Sequence, residues 1–380
     1  MGRWFSPSST PAAARVAVLF PPQVRAWGLP GEVPLTPRAA RRVAREGALH
    51  SFDQAALALN EDWGTHLDGK QIQRWSEAMG RNLTVARDAE VRAYEQGCRP
   101  ASPANAPALL VIGMDGGRVQ TREKQGENGS RWREDKVSAI TSYLPGDGTA
   151  DHPPRPLVTT YVATMGKTEA FGKLVHVEAE RRGMRQAATV RTLPTRSARL
   201  TVMGDGGNWI DPLSEREGLH DRRIVDYYHA AEHLFEAARA ALGKDTPETM
   251  ALGRQRKDAL WNGELDQVIE SLRTHAERLG SPQPGDGPDH PRRVLANNVG
   301  YFETHRHHLD YPTFRQKGWP IGSGVTESAV KQFNKRVKGT EQFWSMPGVE
   351  SILSLRALWL SQDWRWERYW NTRPAYSKAA

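Results

Sequence analysis

The spacing of apolar positions changes twice along this chain, from helical to strand-like and back to helical. Residues 1–34, rich in Pro, Ser and Gly, follow neither period and are expected to be irregular. Thr36-Pro37 then forms a cap and first-turn pair that opens a helix through about Glu46, with several arginines on one side. Ser51 caps a second helix with Phe52, Ala55, Ala56 and Leu59 on one face. After a break at Gly64, Asp68 caps a third, whose inner face is Ile72, Trp75 and Met79. Three short helices with a break before the last predict a helix-turn-helix-like domain over residues 35–99. Its third helix presents Lys70, Gln71 and Arg74, either to base edges and phosphates or simply to solvent. A separate polar helix is expected over 84–97, then a proline-containing linker before residue 108.

At Leu109–Ile112 the period becomes a continuous apolar run, the mark of a strand buried on both faces. Further strands are expected at 136–144, 157–165, 200–203 and 223–227, with a helix over 167–182 capped by Gly183. The order β, β, β, α, β, α, β predicts an α/β fold whose mixed five-stranded sheet is built as in ribonuclease-H-like domains. Residues 108–229 would form its first part. From Ala230 the helical period returns, and residues 230–319 read as a large all-helical insertion. Residues 320–380 would complete the core with a Glu-bearing helix and C-terminal helices.

Composition narrows the partner more than the fold. A net charge of +8 and a pI near 9.6 favour a polyanion such as nucleic acid. The single Cys98 excludes a disulfide framework and a cysteine-rich zinc site. No apolar run reaches the roughly 20 residues that cross a bilayer, and the first 19 residues lack a continuous signal-type apolar region. A cytoplasmic, nucleoid-associated location and no membrane partner are therefore expected.

Two segments share one form: Ile112-Gly113-Met114-Asp115-Gly116-Gly117 and Val202-Met203-Gly204-Asp205-Gly206-Gly207. Alone, either Asp-Gly pair is an ordinary turn. Two of them on neighbouring strands place acids at strand ends beside bare backbone, which suits a hard cation and a bulky phosphodiester. A third segment, Pro320 to Lys331, leads through glycines into a helix with Glu327 in its first turn. Lys331, Asn334 and Lys335 follow on the same face, and Arg336 and Lys338 extend the positive charge. The C-terminal Trp359, Trp364, Trp366 and Trp370 are read as sealing a helix against the core rather than as base-stacking groups. His305, His307 and His308, near Asp310, are read as a solvated turn that touches phosphate.

Taken in order, these motifs resemble bacterial insertion-sequence transposases of the ISKra type, relatives of the Mutator-like group. The resemblance runs from about Leu35 to Trp370. It rests on Asp115-Gly-Gly-Arg118, Trp132 to Val137, Thr160 to Thr164, Gly204-Asp205-Gly206 with Trp209-Ile210, and Asp226 to Leu234. It continues through Ile321 to Gly324 with Glu327 and Lys331, then Arg336 to Gly339 and Trp344. The chain departs from the pattern in lacking a Cys-bearing segment before Leu35, so a truncated start is expected, and in having Glu341-Gln342 where relatives carry Gly-Met.

The resemblance implies a DDE transposase with Asp115, Asp205 and Glu327 as catalytic carboxylates and ligands of two Mg²⁺ (or Mn²⁺) ions. It implies double-stranded DNA as partner, at the element's terminal inverted repeats and at the target, with a homo-oligomer on paired ends. Lys331, Lys335 and Arg336 would join Lys70, Gln71 and Arg74 in holding DNA. Asp226 and His229 match the group's second motif, which either supports the site or simply starts a helix. Two competing readings are a catalytically inactive or truncated transposase-derived DNA-binding protein, and a glycosidase with paired carboxylates.

Overall fold

A computed structural model describes residues 26, 29–31, 33–101, 103, 107–125, 129–185, 200–244, 246–339 and 342–372. Most of the irregular segment expected at 1–34 lies outside them, as does Glu341. The chain begins with α1 (Pro37–Leu49), α2 (Phe52–Trp63) and α3 (Gly69–Glu95). Thr36, Ser51 and Asp68 cap them as their side chains predict, each accepting a backbone N–H of the first turn. The separate helix expected at 84–97 does not exist: α3 runs unbroken for 27 residues. Gly80 lies within it, but serves packing. A Cβ there would come within 2.2 Å of the Ser351 carbonyl oxygen, so the bare backbone lets a C-terminal helix cross closely.

Five strands follow: β1 (Leu109–Gln125), β2 (Ser130–Leu144), β3 (Arg155–Thr164), β4 (Leu200–Gly204) and β5 (Arg222–Val225). They form one mixed sheet in the order β3-β2-β1-β4-β5, antiparallel across the first three and parallel across β1, β4 and β5. Helices α4 (Thr168–Arg181) and α5 (Ile210–Glu217) lie between β3 and β5 in the chain. Alternation along β1 divides the layers. Leu110, Ile112 and Met114 pack with Phe171 and Val175 of α4, whereas Leu109, Val111 and Val119 join cores on the opposite face.

After β5 come α6 (Tyr227–Leu242), α7 (Pro247–Asn262), α8 (Leu265–Leu279), α9 (Pro291–Thr304) and α10 (Tyr311–Gln316). Leu234, Leu260, Val268, Ile269, Leu272 and Leu295 are fully buried among them, each burial worth about 1.5–3 kcal/mol. The chain then returns with α11 (Gly324–Val337), α12 (Met346–Leu360) and α13 (Arg365–Asn371). Trp366 and Trp370 are buried in one core with Trp75, Leu59 and Val43, so the C-terminal helices close over α1–α3. Trp364 is the exception to the expected seal, at 72% exposure.

Strand β1 is longer than its apolar run. Asp115, Gly116 and Gly117 do not turn the chain; they pair with Val137, Lys136 and Asp135 across an antiparallel ribbon. Asp115 therefore sits within β1, not at its end. A two-sided ribbon with a polar face needs no continuous apolar run, which is why the extension was not visible in the periodicity.

Candidate active site

The parallel register of β1 with β4 pairs Gly113 with Met203. The pairing ends there; Asp115 follows two residues on within β1, and Asp205 two residues on in the bend just past β4, so both acids lie just beyond the paired stretch of the two strands. Two glycines permit close packing here. A Cβ on Gly204 would lie 3.0 Å from the Met114 carbonyl oxygen and 2.6 Å from Ile210 Cδ1. Gly206 adopts φ +93°, and a Cβ there would strike the Tyr301 ring at 2.8 Å. Tyr301 in turn donates its hydroxyl to the Asp205 carbonyl at 3.0 Å, tying the end of β4 to α9.

Helix α11 lies on this same face. A Cβ on Gly113 would come 1.8 Å from Thr326 Oγ1, and one on Gly117 would come 2.8 Å from Asn334 Oδ1. Four strand residues span about 13 Å and eight helical residues about 12 Å, so α11 runs alongside β1 with Asp115 midway. Glu327 follows Thr326 directly. Its carboxylate accepts from Ser323 Oγ and Lys331 Nζ, both at 3.3 Å.

Asp226 sets where this helix begins. It is 1% exposed, and its carboxylate accepts the backbone N–H of His229 at 2.8 Å and that of Ser323. Tyr227 N–H donates to the Ile321 carbonyl at 2.8 Å, a second stitch between the starts of α6 and α11. Asp226 is thus a positioning residue. The half-buried His229 ring lies near enough to Asp115 to favour its charged form.

The electrostatics show how the acids are grouped. Burial pushes the Asp115 carboxyl up to about 6, the Gly116 N–H opposes this, and the Asp205 and Glu327 charges raise it further. A second acid, Asp135, had no role in the sequence reading. It stands opposite Gly117 on the face that carries Asp115, is 0% exposed, and neither carboxylate oxygen has a hydrogen-bond partner among the described residues. Burial, then the charges of Glu134 and Asp115, push it too up to about 6. The signal was the parity of Trp132 to Val137, interpretable only once the β1–β2 register is known.

A polar cleft of about 590 Å³ opens beside Asp115 and Asp205, with Arg118, Trp132 and Trp209 in its walls. All-carboxylate oxygen donors are the set a hard divalent cation prefers. The side chains are nonetheless not gathered as a ligand shell. Among the described residues no group of three or more Asp, Glu, His or Cys is placed to hold an ion. Asp115 accepts from Gly116 N–H at 2.6 Å and Asp205 from Gly207 N–H at 2.9 Å, while Glu327 holds Ser323 and Lys331.

Other candidate residues divide. Lys331 and Lys335 are exposed on α11, and Lys70 and Arg74 on α3. Gln71 is engaged in the capping box of α3, accepting the Asp68 N–H at 2.9 Å. Arg336 is a correction: at 2% exposure it cannot reach DNA. Its Nε donates to the Gly47 carbonyl at 2.8 Å and its guanidinium lies 4.5 Å from the Phe52 ring centre, so it caps the C-terminal end of α1. His305 is a second correction. Instead of a solvated position it is 4% exposed, with Nδ1 3.7 Å from Asp211, because buried Phe302 and Leu309 draw the turn inward. Burial lowers His308 to about 4, and His307 is exposed.

No protein-family model matches the chain, and no curated protein matches it. Among solved structures it is similar to the Drosophila P element transposase strand transfer complex, at 9% identity and a TM-score of 0.35. That match covers 85% of this chain and 92% of the other, a likeness too faint to assign a family. The ISKra-type resemblance rests on its motifs.

Proposed function

We propose that this protein is a DNA transposase of an insertion sequence, cleaving element ends and joining them to a target by metal-assisted phosphoryl transfer. One observation carries the reading: Asp115 and Asp205 lie just beyond the paired stretch of β1 and β4, and the helix of Glu327 packs along β1 with its charge felt at Asp115. The strand order, with its antiparallel β1–β2–β3 and parallel β4 and β5, supports the ribonuclease-H-like fold expected from the motifs.

The donor set fits Mg²⁺ or Mn²⁺, and Asp115, Asp205 and Glu327 are the residues that would hold two such ions. When bound, they neutralise charge at the phosphodiester and acidify the attacking water or 3′-hydroxyl. The chain's own part is positioning. Tyr301 fixes the Asp205 backbone, and Asp226 fixes the start of α11. Burial first, and then the charges of Asp205 and Glu327, raise Asp115, so its neighbourhood is short of positive charge. Partners in this reading are double-stranded terminal repeats and target DNA, with the protein assembled as a homo-oligomer on paired ends.

Alanine at Asp115, Asp205 or Glu327 is expected to lower Mg²⁺-dependent nicking of the element's end sequence by about 10³-fold or more while sparing DNA binding. Wild-type cleavage by any of the three variants refutes the assignment. The separate local partners of the three carboxylates favour a second reading, a transposase-derived DNA-binding protein without catalysis. Wild-type protein that binds the ends yet never nicks them with Mg²⁺ or Mn²⁺ establishes it.

A further inference from the structure

The arginines of α1 line an open groove of about 800 Å³, in which Arg38, Arg41, Arg42 and Arg45 face Trp63 of α2 and Trp359 of α12. At spacings i, i+3, i+4 and i+7 they form one stripe about 10 Å long. Only two acids line the groove with them, Asp62 and Glu367. Asp62 takes up Arg42, which also lies 3.5 Å from Glu46. Arg41 is 3.7 Å from Glu367 in a pair exposed at 32% and 41%, the kind that contributes little.

The remaining two carry unused donors. Arg38 is exposed and makes no ion pair or hydrogen bond among the described residues. Arg45 stacks 5.3 Å from the Trp359 ring centre, and its buried Nε has no partner. Guanidinium forks in excess over acids match phosphate geometry. Trp359 is not free for a base, since it is flanked by Arg45 and by the Trp366 ring at 5.0 Å. The surplus of guanidinium donors over acids therefore suits a phosphate backbone.

It is also tied to the candidate active site. From α11, Arg336 holds the Gly47 carbonyl, and from α12, Arg356 holds that of Ala48. Both carbonyls belong to the last turn of α1, so a strand in the groove keeps a set distance from the Glu327 helix.

We propose that this groove grips the phosphodiester backbone of double-stranded DNA without regard to sequence and holds it in register with the helix of Glu327. The inference rests on the reading that DNA is the ligand, and it gives α1 a role first sought on α3.

The test is fluorescence anisotropy of a duplex of arbitrary sequence, across salt from about 50 to 200 mM. Full-length wild type is compared with the triple variant Arg38→Gln, Arg41→Gln, Arg45→Gln, its fold checked by circular dichroism. The single variant Arg38→Glu alters an exposed, unpaired side chain and leaves the fold out of question. The slope of log affinity against log salt is expected to flatten by roughly 2.7 in the triple variant and by at least about 0.9 in the single one. Binding to unrelated sequences should weaken equally. Wild-type slopes in both variants overturn the proposal, as does loss of polyglutamate binding with duplex binding intact, which would assign the groove to an acidic protein segment. A wild-type protein that binds no duplex at all removes the transposase reading too; normal binding with unchanged variants removes only this inference.

Discussion

Glu178 on α4 and Asp135 on β2 are both shut away from solvent, at 3% and 0% exposure, yet only the first is matched by cations. Burial by itself would raise Glu178, but Arg365 and Arg181 beside it hold the carboxyl below its ordinary range. Arg365 also bonds Asp363 through Nε at 2.7 Å, so the cluster knits α4 to the start of α13. Asp135 has Lys136 as a neighbouring cation, and that amine bonds Glu134 at 2.6 Å instead. Its other charged neighbours, Glu134 and Asp115, are acids. A cluster that serves the fold satisfies its charges internally. One that leaves acids uncompensated weakens the fold, and under the proposed function it is where an outside cation would act.

The largest expected effect on stability comes from breaking the satisfied cluster. Arg365→Ala leaves the buried Glu178 with Arg181 alone and should cost about 2–3 kcal/mol in urea unfolding; a loss well under 1 kcal/mol would show that Arg365 does not help hold Glu178.

Asp135→Asn should act in the opposite direction. Because the folded carboxyl titrates near 6, above its ordinary 3.8, the stability tied to its protonated form is full below pH 3.8 and is lost as pH rises through 6. The asparagine never ionises, so at pH 7, with no divalent cation added, it should stabilise the protein by about 2 kcal/mol. The gain should vanish near pH 3.5 to 4. A destabilised variant at pH 7 would mean that Asp135 is charged and paired.

The smallest change is expected at the surface. The Lys331–Glu327 pair is 77% and 47% exposed, and Lys331→Ala should shift unfolding by less than about 0.5 kcal/mol. A larger shift would move this pair into the class of Glu178.

Much of the fold was legible because its determinants are local. Caps at Thr36, Ser51 and Asp68 act within one turn, and the five strands announced themselves through apolar runs and β-branched residues. Of the candidate site, Asp115, Asp205 and Glu327 were visible through their glycine neighbours. Asp135 was not, because its parity relative to Asp115 depends on strand pairing. The run of β1 through Gly116 and Gly117 was hidden for a related reason: two glycines after Asp suit a turn until a partner strand supplies their hydrogen bonds.

By itself the amino-acid sequence determined the helix starts after Thr36, Ser51 and Asp68, the strand count, the return to helices after β5 and the acids near glycine, all of which depend on neighbours a few residues away. The tertiary structure alone decided that Asp115 and Asp205 lie just beyond the paired stretch of adjacent strands, that Arg336 faces a carbonyl of α1 rather than solvent, and that four arginines border a groove. Those outcomes depend on register and on which helix covers which face. Both are settled by the joint packing of segments far apart in the chain, where exchanging one partner changes a side chain from exposed to buried without altering its local spacing.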